Sequence, residues 1–340
     1  MSNNTIVDYI EKLVNVPSPT GFTEKITNFL LKNAEEKEIE NFQTKKGAVV
    51  YKFPANTETK KSKSVMFAVH VDTLGAMVKE VRKDCLKLSI IGGYPAFYVI
   101  GDYCKIHTYE NNEIEGTILP DNPAVHVNNK LKDLKPNFKN IHVRVDYDLD
   151  KKLKDEIKVG NFVSLDPKFS HINGYVKSRH LDDKASAAIL LNLADWLNDN
   201  RINLKDDVYM FFNVTEETGQ GLSVFSQLDE LIIVDMGVVG EGVAGSEEKV
   251  SICAKDSSGP YNYQITRKLT QIAEKNKINH VVDVFPYYAS DGSAALRAGN
   301  DLKVALLGPG VGASHGYERC HEKSLKATTD LLTRYIVDEK

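Results

Sequence analysis

Cysteine is scarce in this chain of 340 residues, and the four that occur, Cys85, Cys104, Cys253 and Cys320, are scattered. None forms a C-x-x-C pair, which excludes a zinc finger or a dithiol redox motif, and a chain of this length needs no disulfide framework to hold a core. Long apolar runs are missing too: no stretch approaches the ~18 residues that read as a membrane helix. The opening "MSNNTIVDYIEKL" contains no apolar h-region, so no signal peptide is expected and the cytoplasm is the expected location. The formal charge of −4 is nearly balanced, with no basic stripe and no long charged block, so neither nucleic acid nor a membrane is an expected partner. The short run "KKSK" at 60–63 reads as a solvated turn. Repeats and low-complexity segments are absent. What remains is 42% apolar and 26% charged residues, an ordinary composition for a soluble protein, on a chain long enough for roughly two domains.

Periodicity divides the chain into three stretches. "TIVDYIEKLVNV" and the segment opened by Thr23 and Lys25 carry apolar residues at helical spacing, and "GAVVYKF" and "SVMFAVHVD" read as strands. The second strand is apolar nearly throughout, as a strand covered on both faces is. From about 75 to 175 the pattern changes to short strand candidates between turns: "LKLSIIGG", "CKIHTYE", "EIEGTIL", "AVHVN", "IHVRVDY" and "NFVSLD". Within it only "KKLKDEI" at 151–157 suggests a helix. Helical character returns with "LDDKASAAILLNLADWLND" at 181–199, followed by alternating strands and helices. The expected fold is an α/β domain formed by residues 1–74 and 176–340, with residues 75–175 inserted as a small all-β, barrel-like domain.

The polar residues of most interest stand where strands end and helices begin. His70 and Asp72 close one strand as H-x-D, Asp182 and Asp183 open the long helix, and Glu216 and Glu217 follow the apolar run at 208–212. Asp235 closes "LIIVD", and His315 lies in the glycine-rich "GPGVGASHGYERCH" after the final strand. Open α/β sheets gather their ligands at the carboxyl ends of strands. Histidine mixed with carboxylates suits zinc, cobalt or manganese, and five such ligands would serve two ions if one carboxylate bridges them. In the H-x-D pair the aspartate can orient the histidine from behind. Two adjacent glutamates would repel unless one ligates a metal and the other stays free to accept a proton from water activated there. Singly, each element has a bland reading: H-x-D is weak, an E-E pair is usually a solvated surface, and an aspartate at a strand end is often a turn residue. Their co-occurrence, each at a predicted terminus, carries the case. The glycine-rich stretch lacks the Lys-Ser/Thr of a phosphate loop.

Through "PSPTGFTEKI", "AVHVDTLGAMV", "SRHLDDKASAAILL", "NVTEETGQG", "LIIVDMG", "YYASDGSAAL" and "SHGYE", the chain resembles, over nearly its whole length, the co-catalytic metallopeptidases that include glutamyl aminopeptidase and the tetrahedral (TET) aminopeptidases. The resemblance implies a mixed-sheet α/β/α catalytic domain with an inserted β domain, and a metal-dependent aminopeptidase acting on short peptides. It implies two divalent ions per subunit, zinc or cobalt or else manganese, with His70 and Asp235 on one, Glu217 and His315 on the other, and Asp182 between them. Glu216 would be the general base and Asp72 the residue orienting His70. Relatives often assemble as twelve-subunit shells, so a homo-oligomer is expected. Two departures stand out. Thr73-Leu74 follow Asp72 where many relatives place a glutamate, and a second histidine, His321, follows His315. No side-chain preference is therefore carried over.

Three further residues are candidates for substrate contact: Asp291, which also fits a helix N-cap, His180 beside Asp182, and His321 at the start of the last helix. His107, His126, His142 and His171 read as structural or exposed. A related amidohydrolase, a carboxypeptidase or deacylase, is the nearest alternative. There the bridging aspartate follows H-x-D within a few tens of residues, whereas here about 110 residues separate Asp72 from Asp182. A catalytically silent binding protein is a second alternative. A glycosidase needs only a carboxyl pair and leaves the histidines unexplained.

Overall fold

The computed structural model describes residues 3–56, 63–223 and 228–337. Most of the "KKSK" run lies outside the described residues. Two helices, α1 (Asn3–Val14) and α2 (Glu24–Glu36), precede three strands, β1 (Glu40–Gln43), β2 (Val49–Phe53) and β3 (Ser64–His70). Six strands follow: β4 (Gly75–Val81), β5 (Cys85–Ile91), β6 (Tyr103–His107), β7 (Glu113–Pro120), β8 (Ile141–Val145) and β9 (Phe162–Leu165). These close into an antiparallel barrel in the order β4-β5-β8-β7-β6-β9 around their own apolar cluster, which includes Val78, Leu86, Ile106, Ile118 and Val143. Five of the six expected strand segments become β5 to β9. The sixth, "AVHVN", does not: Val125 and Val127 are exposed, no strand flanks them, and Val127 and Asn128 donate their amides to Ala124 O in a local turn. A β-like alternation without a partner strand stays a turn. The expected helix at 151–157 shrinks to one turn, α3 (Leu153–Glu156).

Beyond the barrel, β10 (Ser170–Ile172) and β11 (Tyr175–Ser178) rejoin the large sheet. The rest of the chain is α4 (Leu181–Asp199), β12 (Asp207–Asn213), β13 (Glu230–Val234), β14 (Gly237–Val239), β15 (Val250–Asp256), β16 (Gly259–Pro260), α5 (Tyr263–Lys275), β17 (His280–Val284), α6 (Asp291–Arg297), β18 (Lys303–Gly312), β19 (Glu318–His321) and α7 (Glu322–Val337). The main sheet runs β1-β2-β12-β3-β13-β18-β19-β11-β10, with β15 also against β18 and β17 against β15. Its centre, β12-β3-β13-β18, is parallel, so the ends of these strands face one side. The fold is thus mixed α/β with a closed β barrel. Helix α4 is apolar on nearly every face because β3, α1 and α7 all pack on it, and its alanines let them approach closely. Among the described residues no helix is long and apolar enough to cross a membrane.

Candidate metal centre

His70 is the last residue of β3, and its register partner on β12 is Asn213, just before the Glu216–Glu217 turn. Asp235 follows β13, where its amide donates to Leu307 O of β18. That neighbour strand comes so close that a Cβ on Gly308 would lie 1.6 Å from the Asp235 carbonyl oxygen, so only glycine fits there. Asp182 and Asp183 come from the start of α4, and His315 from the turn between β18 and β19. The parallel strand ends thus bring together residues spread over nearly 250 positions.

Asp182 sits between the two imidazoles. Its Oδ1 is 3.2 Å from His70 Nε2, while its Oδ2 is 3.7 Å from His315 Nε2 and accepts the Ser314 hydroxyl at 2.8 Å. Glu217 Oε2 is 3.7 Å from His315 Nε2, and Glu216 Oε2 is 3.9 Å from His70 Nε2. Both rings turn Nδ1 away from the carboxylates: His70 Nδ1 lies 3.1 Å from the main-chain oxygen of Asp72 and His315 Nδ1 2.5 Å from Gly93 O. The Asp72 carboxylate, 3.6 Å from His70 Nδ1, is committed elsewhere. It accepts the Thr20 hydroxyl at 2.6 Å and the main-chain N–H groups of Glu216 and Glu217 at 3.1 and 3.2 Å. One buried carboxylate therefore ties the N-terminal loop and the glutamate turn to the end of β3.

The other expected residues divide. Asp291 is buried at the start of α6. One of its oxygens accepts from Asn213 at 2.7 Å, the other has no partner, and burial pushes its carboxyl up to about 7. Of the two readings open for Asp291, the N-cap falls to Ser290, whose hydroxyl accepts from Gly292 and Ser293. His180 lines a cavity of about 290 Å³ between barrel and α/β domain, together with Ser18, Thr73 and Lys184. Burial, followed by the charges of Lys184 and Arg179, holds His180 well below the usual histidine range. His321 packs edge-on against Tyr175, with ring centroids 4.7 Å apart, and accepts the Lys323 N–H; these contacts place it on the β11–β19 pair and not in the cluster.

Two acids escaped the sequence reading. Asp183, read only as a helix opener, groups with His70 and Asp235: one ligand atom from each lies within 4.8 Å of the others. One Asp183 oxygen accepts the His70 main-chain N–H at 3.3 Å and the other has no partner. Glu318, in "GYERC", is buried and accepts the main-chain N–H groups of both Asp182 and His315 at 2.9 Å, joining the two loops from behind. No motif marks this role, since it depends on main-chain groups that any residue carries.

The electrostatics ask for positive charge. Burial, and after it the neighbouring acids, push Glu216, Glu217 and Asp183 well above the usual carboxylate range, and Asp235 up to about 6. Burial works to discharge the His70 ring, but the bond to Asp182 and the surrounding carboxylates outweigh it and hold that ring well above the usual histidine range. Burial also opposes charge on Asp182, yet the bond from His70 keeps it below its usual value. A buried group of acids with an orphaned carboxylate oxygen and imidazole nitrogens facing inward is a donor set that divalent cations satisfy.

Comparison with known proteins agrees. The sequence profile of the family described as M42 glutamyl aminopeptidase matches residues 47–331. A Bacillus subtilis (strain 168) protein named "Putative aminopeptidase YhfE" is 40% identical over 337 residues, covering 97% of this chain and 96% of its own. Among solved structures, the TET1 peptidase of Pyrococcus horikoshii, which can assemble into a tetrahedron or a large octahedral shell, superimposes with a TM-score of 0.82 at 20% identity, covering 98% of this chain and 99% of its own. The TET aminopeptidase from the marine sediment archaeon Thaumarchaeota archaeon SCGC AB-539-E09 does so at 0.85 and 16%, covering 99% and 97%. The chain belongs to the M42 glutamyl aminopeptidase family, and with it to the metal-dependent hydrolases of the peptide bond.

Proposed function

We propose that this protein removes N-terminal residues from short peptides with the help of two divalent cations, zinc, cobalt or manganese. The observation that carries this reading is the place of Asp182, whose two oxygens face His70 on one side and His315 on the other. His70 and Asp235 would hold one cation, Glu217 and His315 the other, and Asp182 would bridge. Bound there, the cations would polarise the scissile carbonyl and lower the pKa of the attacking water toward ~7. Glu216 takes the proton from that water and delivers it to the leaving amine. Asp72 acts from behind: its main-chain oxygen orients the His70 ring, and its carboxylate holds the main chain of Glu216 and Glu217. Asp291 holds Asn213 beside β3 and supports the floor of the site.

Metal analysis tests the assignment. Asp182→Ala is expected to lose metal at both positions, whereas Asp183→Ala, whose carboxylate already binds a main-chain N–H, is expected to keep at least one ion. Full occupancy in Asp182→Ala would refute the bridge. Cleavage of free but not N-acetylated peptides separates an aminopeptidase from a deacylase, and a metal-loaded protein inert to a peptide library would favour a silent binding protein. The position of the barrel, between His70 and Asp182, supports the aminopeptidase branch. We further propose a homo-oligomer in the cytoplasm, with a twelve-subunit shell like those of relatives as the expected form; light scattering at monomer mass would overturn it.

A further inference from the structure

The two imidazoles of the centre are held in different ways. His70 is 2% exposed, so close packing adds to the bond with Asp72 O in fixing its ring. The His315 side chain is 38% exposed, and its residue sits at a positive φ of 63° in a turn. Glu318 holds its main-chain N–H, and Asp182 and Glu217 face its Nε2, but the partner of its Nδ1 comes from the inserted barrel. Gly93, just past the end of β5, accepts from His315 Nδ1 at 2.5 Å. The next residue, Gly316, packs against the Tyr98 ring with no room for a Cβ. The one after it, Tyr317, donates its hydroxyl to Asp102. Three consecutive residues of the turn thus lie against the barrel segment 93–102. Asp102 is buried and also receives Arg179, which donates to Tyr98 O as well and stacks on the Tyr317 ring at 4.1 Å. Arg179 stands three residues before Asp182.

We propose that the Gly92–Gly93 corner of the barrel is part of the metal centre: the Gly93 carbonyl sets the tautomer and direction of His315, so the insert governs the affinity of the cation site that His315 serves. The chemistry is direct. A carbonyl accepts only, so Nδ1 must carry the proton, and the Nε2 lone pair is left facing Asp182 and Glu217. Hydrogen bonds behind a ligating histidine commonly change metal affinity ~10–100-fold when lost. Gly92 makes the corner possible. Its φ is +77°, and a Cβ there would lie 2.4 Å from Leu74 Cδ2, with the Glu217 carboxylate 3.6 Å away.

This inference rests on the reading of His315 as a ligand, so the experiment separates the two. Stripped protein is titrated with Zn²⁺ alone by calorimetry. The wild type is expected to show two sites and His315→Ala one; two unchanged sites in His315→Ala would sink the ligand reading itself. Gly92→Ala is expected to weaken one site ~10–100-fold and leave the other within twofold. Gly160→Ala, at another barrel glycine of φ +94° whose Cβ would meet Tyr109 instead, controls for strain in the barrel and is expected to match the wild type at both sites. Equal weakening of both sites in Gly92→Ala, or none, overturns the inference while His315 stays a ligand. A measurement on the zinc-loaded wild type covers the case in which Gly92→Ala does not fold. The ¹H–¹⁵N spectrum of the imidazoles, assigned by comparison with His315→Ala, is expected to show His315 protonated at Nδ1; protonation at Nε2 overturns the proposal.

Discussion

Replacing Asp72 with asparagine tests how firmly the centre is assembled before any cation arrives. The side chain is fully buried and accepts three hydrogen bonds, from Glu216 N on Oδ1 and from Thr20 Oγ1 and Glu217 N on Oδ2. An amide has one acceptor oxygen, so its NH₂ must face a donor in either orientation. Placed at Oδ2 it confronts both Thr20 and Glu217; placed at Oδ1 it strands only the Glu216 N–H. The second is cheaper. It loses one charge-assisted bond, ~1.5–3 kcal/mol, and adds the cost of an unsatisfied buried N–H, ~1–3 kcal/mol, for a sum near ~4 kcal/mol. With an unfolding entropy of ~2.1 cal/mol/K per residue, a chain of 340 residues shifts its Tm by ~1.4 °C per kcal/mol, so a fall of ~5–6 °C is expected in the metal-free protein. Thr20→Val removes a single charge-assisted bond and is expected to cost ~2–4 °C by the same arithmetic. Scanning calorimetry of the two apoproteins decides the matter. A drop under 1 °C for Asp72→Asn, or a larger one for Thr20→Val, would refute the three-bond account.

Other consequences follow from particular contacts. Glu216→Gln is expected to keep its metal content but lose ~10²–10⁴ in kcat toward a free-amino peptide, the usual worth of a general base; near-normal turnover would remove Glu216 from that role. Gly308→Ala would drive a methyl into the Asp235 carbonyl, and is expected to lower both Tm and zinc affinity, seen by calorimetry. The ring of His107 is stacked on Phe22, bonded to Ser164 and faced by Glu113, Lys25 and Lys105; burial presses its pKa down to about 4. The unfolded chain therefore binds a proton that the fold excludes between the usual 6.5 and about 4, so stability falls as pH drops through that window. Lys25 holds Glu113 down to about 2, so that carboxylate weakens the fold only below its usual 4.5, at the acid end of this range. Denaturant midpoints across pH 4.5–6.5 should show a shallower slope in His107→Gln; identical slopes would clear His107.

What could be read in advance was whatever leaves a local pattern. The apolar run of β3, the helical stripe of α4 and the alternation in β5 to β9 each report a periodic environment, and acids or histidines at their ends mark where the parallel strands finish. What escaped depends on groups without a pattern. Glu318 is recognised only by two main-chain amides aimed at it, and Asp102 only by Arg179 and Tyr317 of the α/β domain and by Lys168, which converge on it. Asp183 and Asp182 are chemically identical in the sequence, and the backbone at the start of α4 decides which one faces both imidazoles. "AVHVN" misled because alternation alone cannot say whether a neighbouring strand exists.

The burial of α4 bears on how the protein is made. Its cover comes from α1 and β3, synthesised long before it, and from α7, which begins at residue 322, about 120 residues after α4 ends. At ~5–20 residues per second a ribosome takes about 6–25 s to close that interval, and for that time the face of α4 that α7 covers stays open. Newly made chains should therefore lean on a holding chaperone until α7 emerges, and those released short of it should be prone to clump through α4.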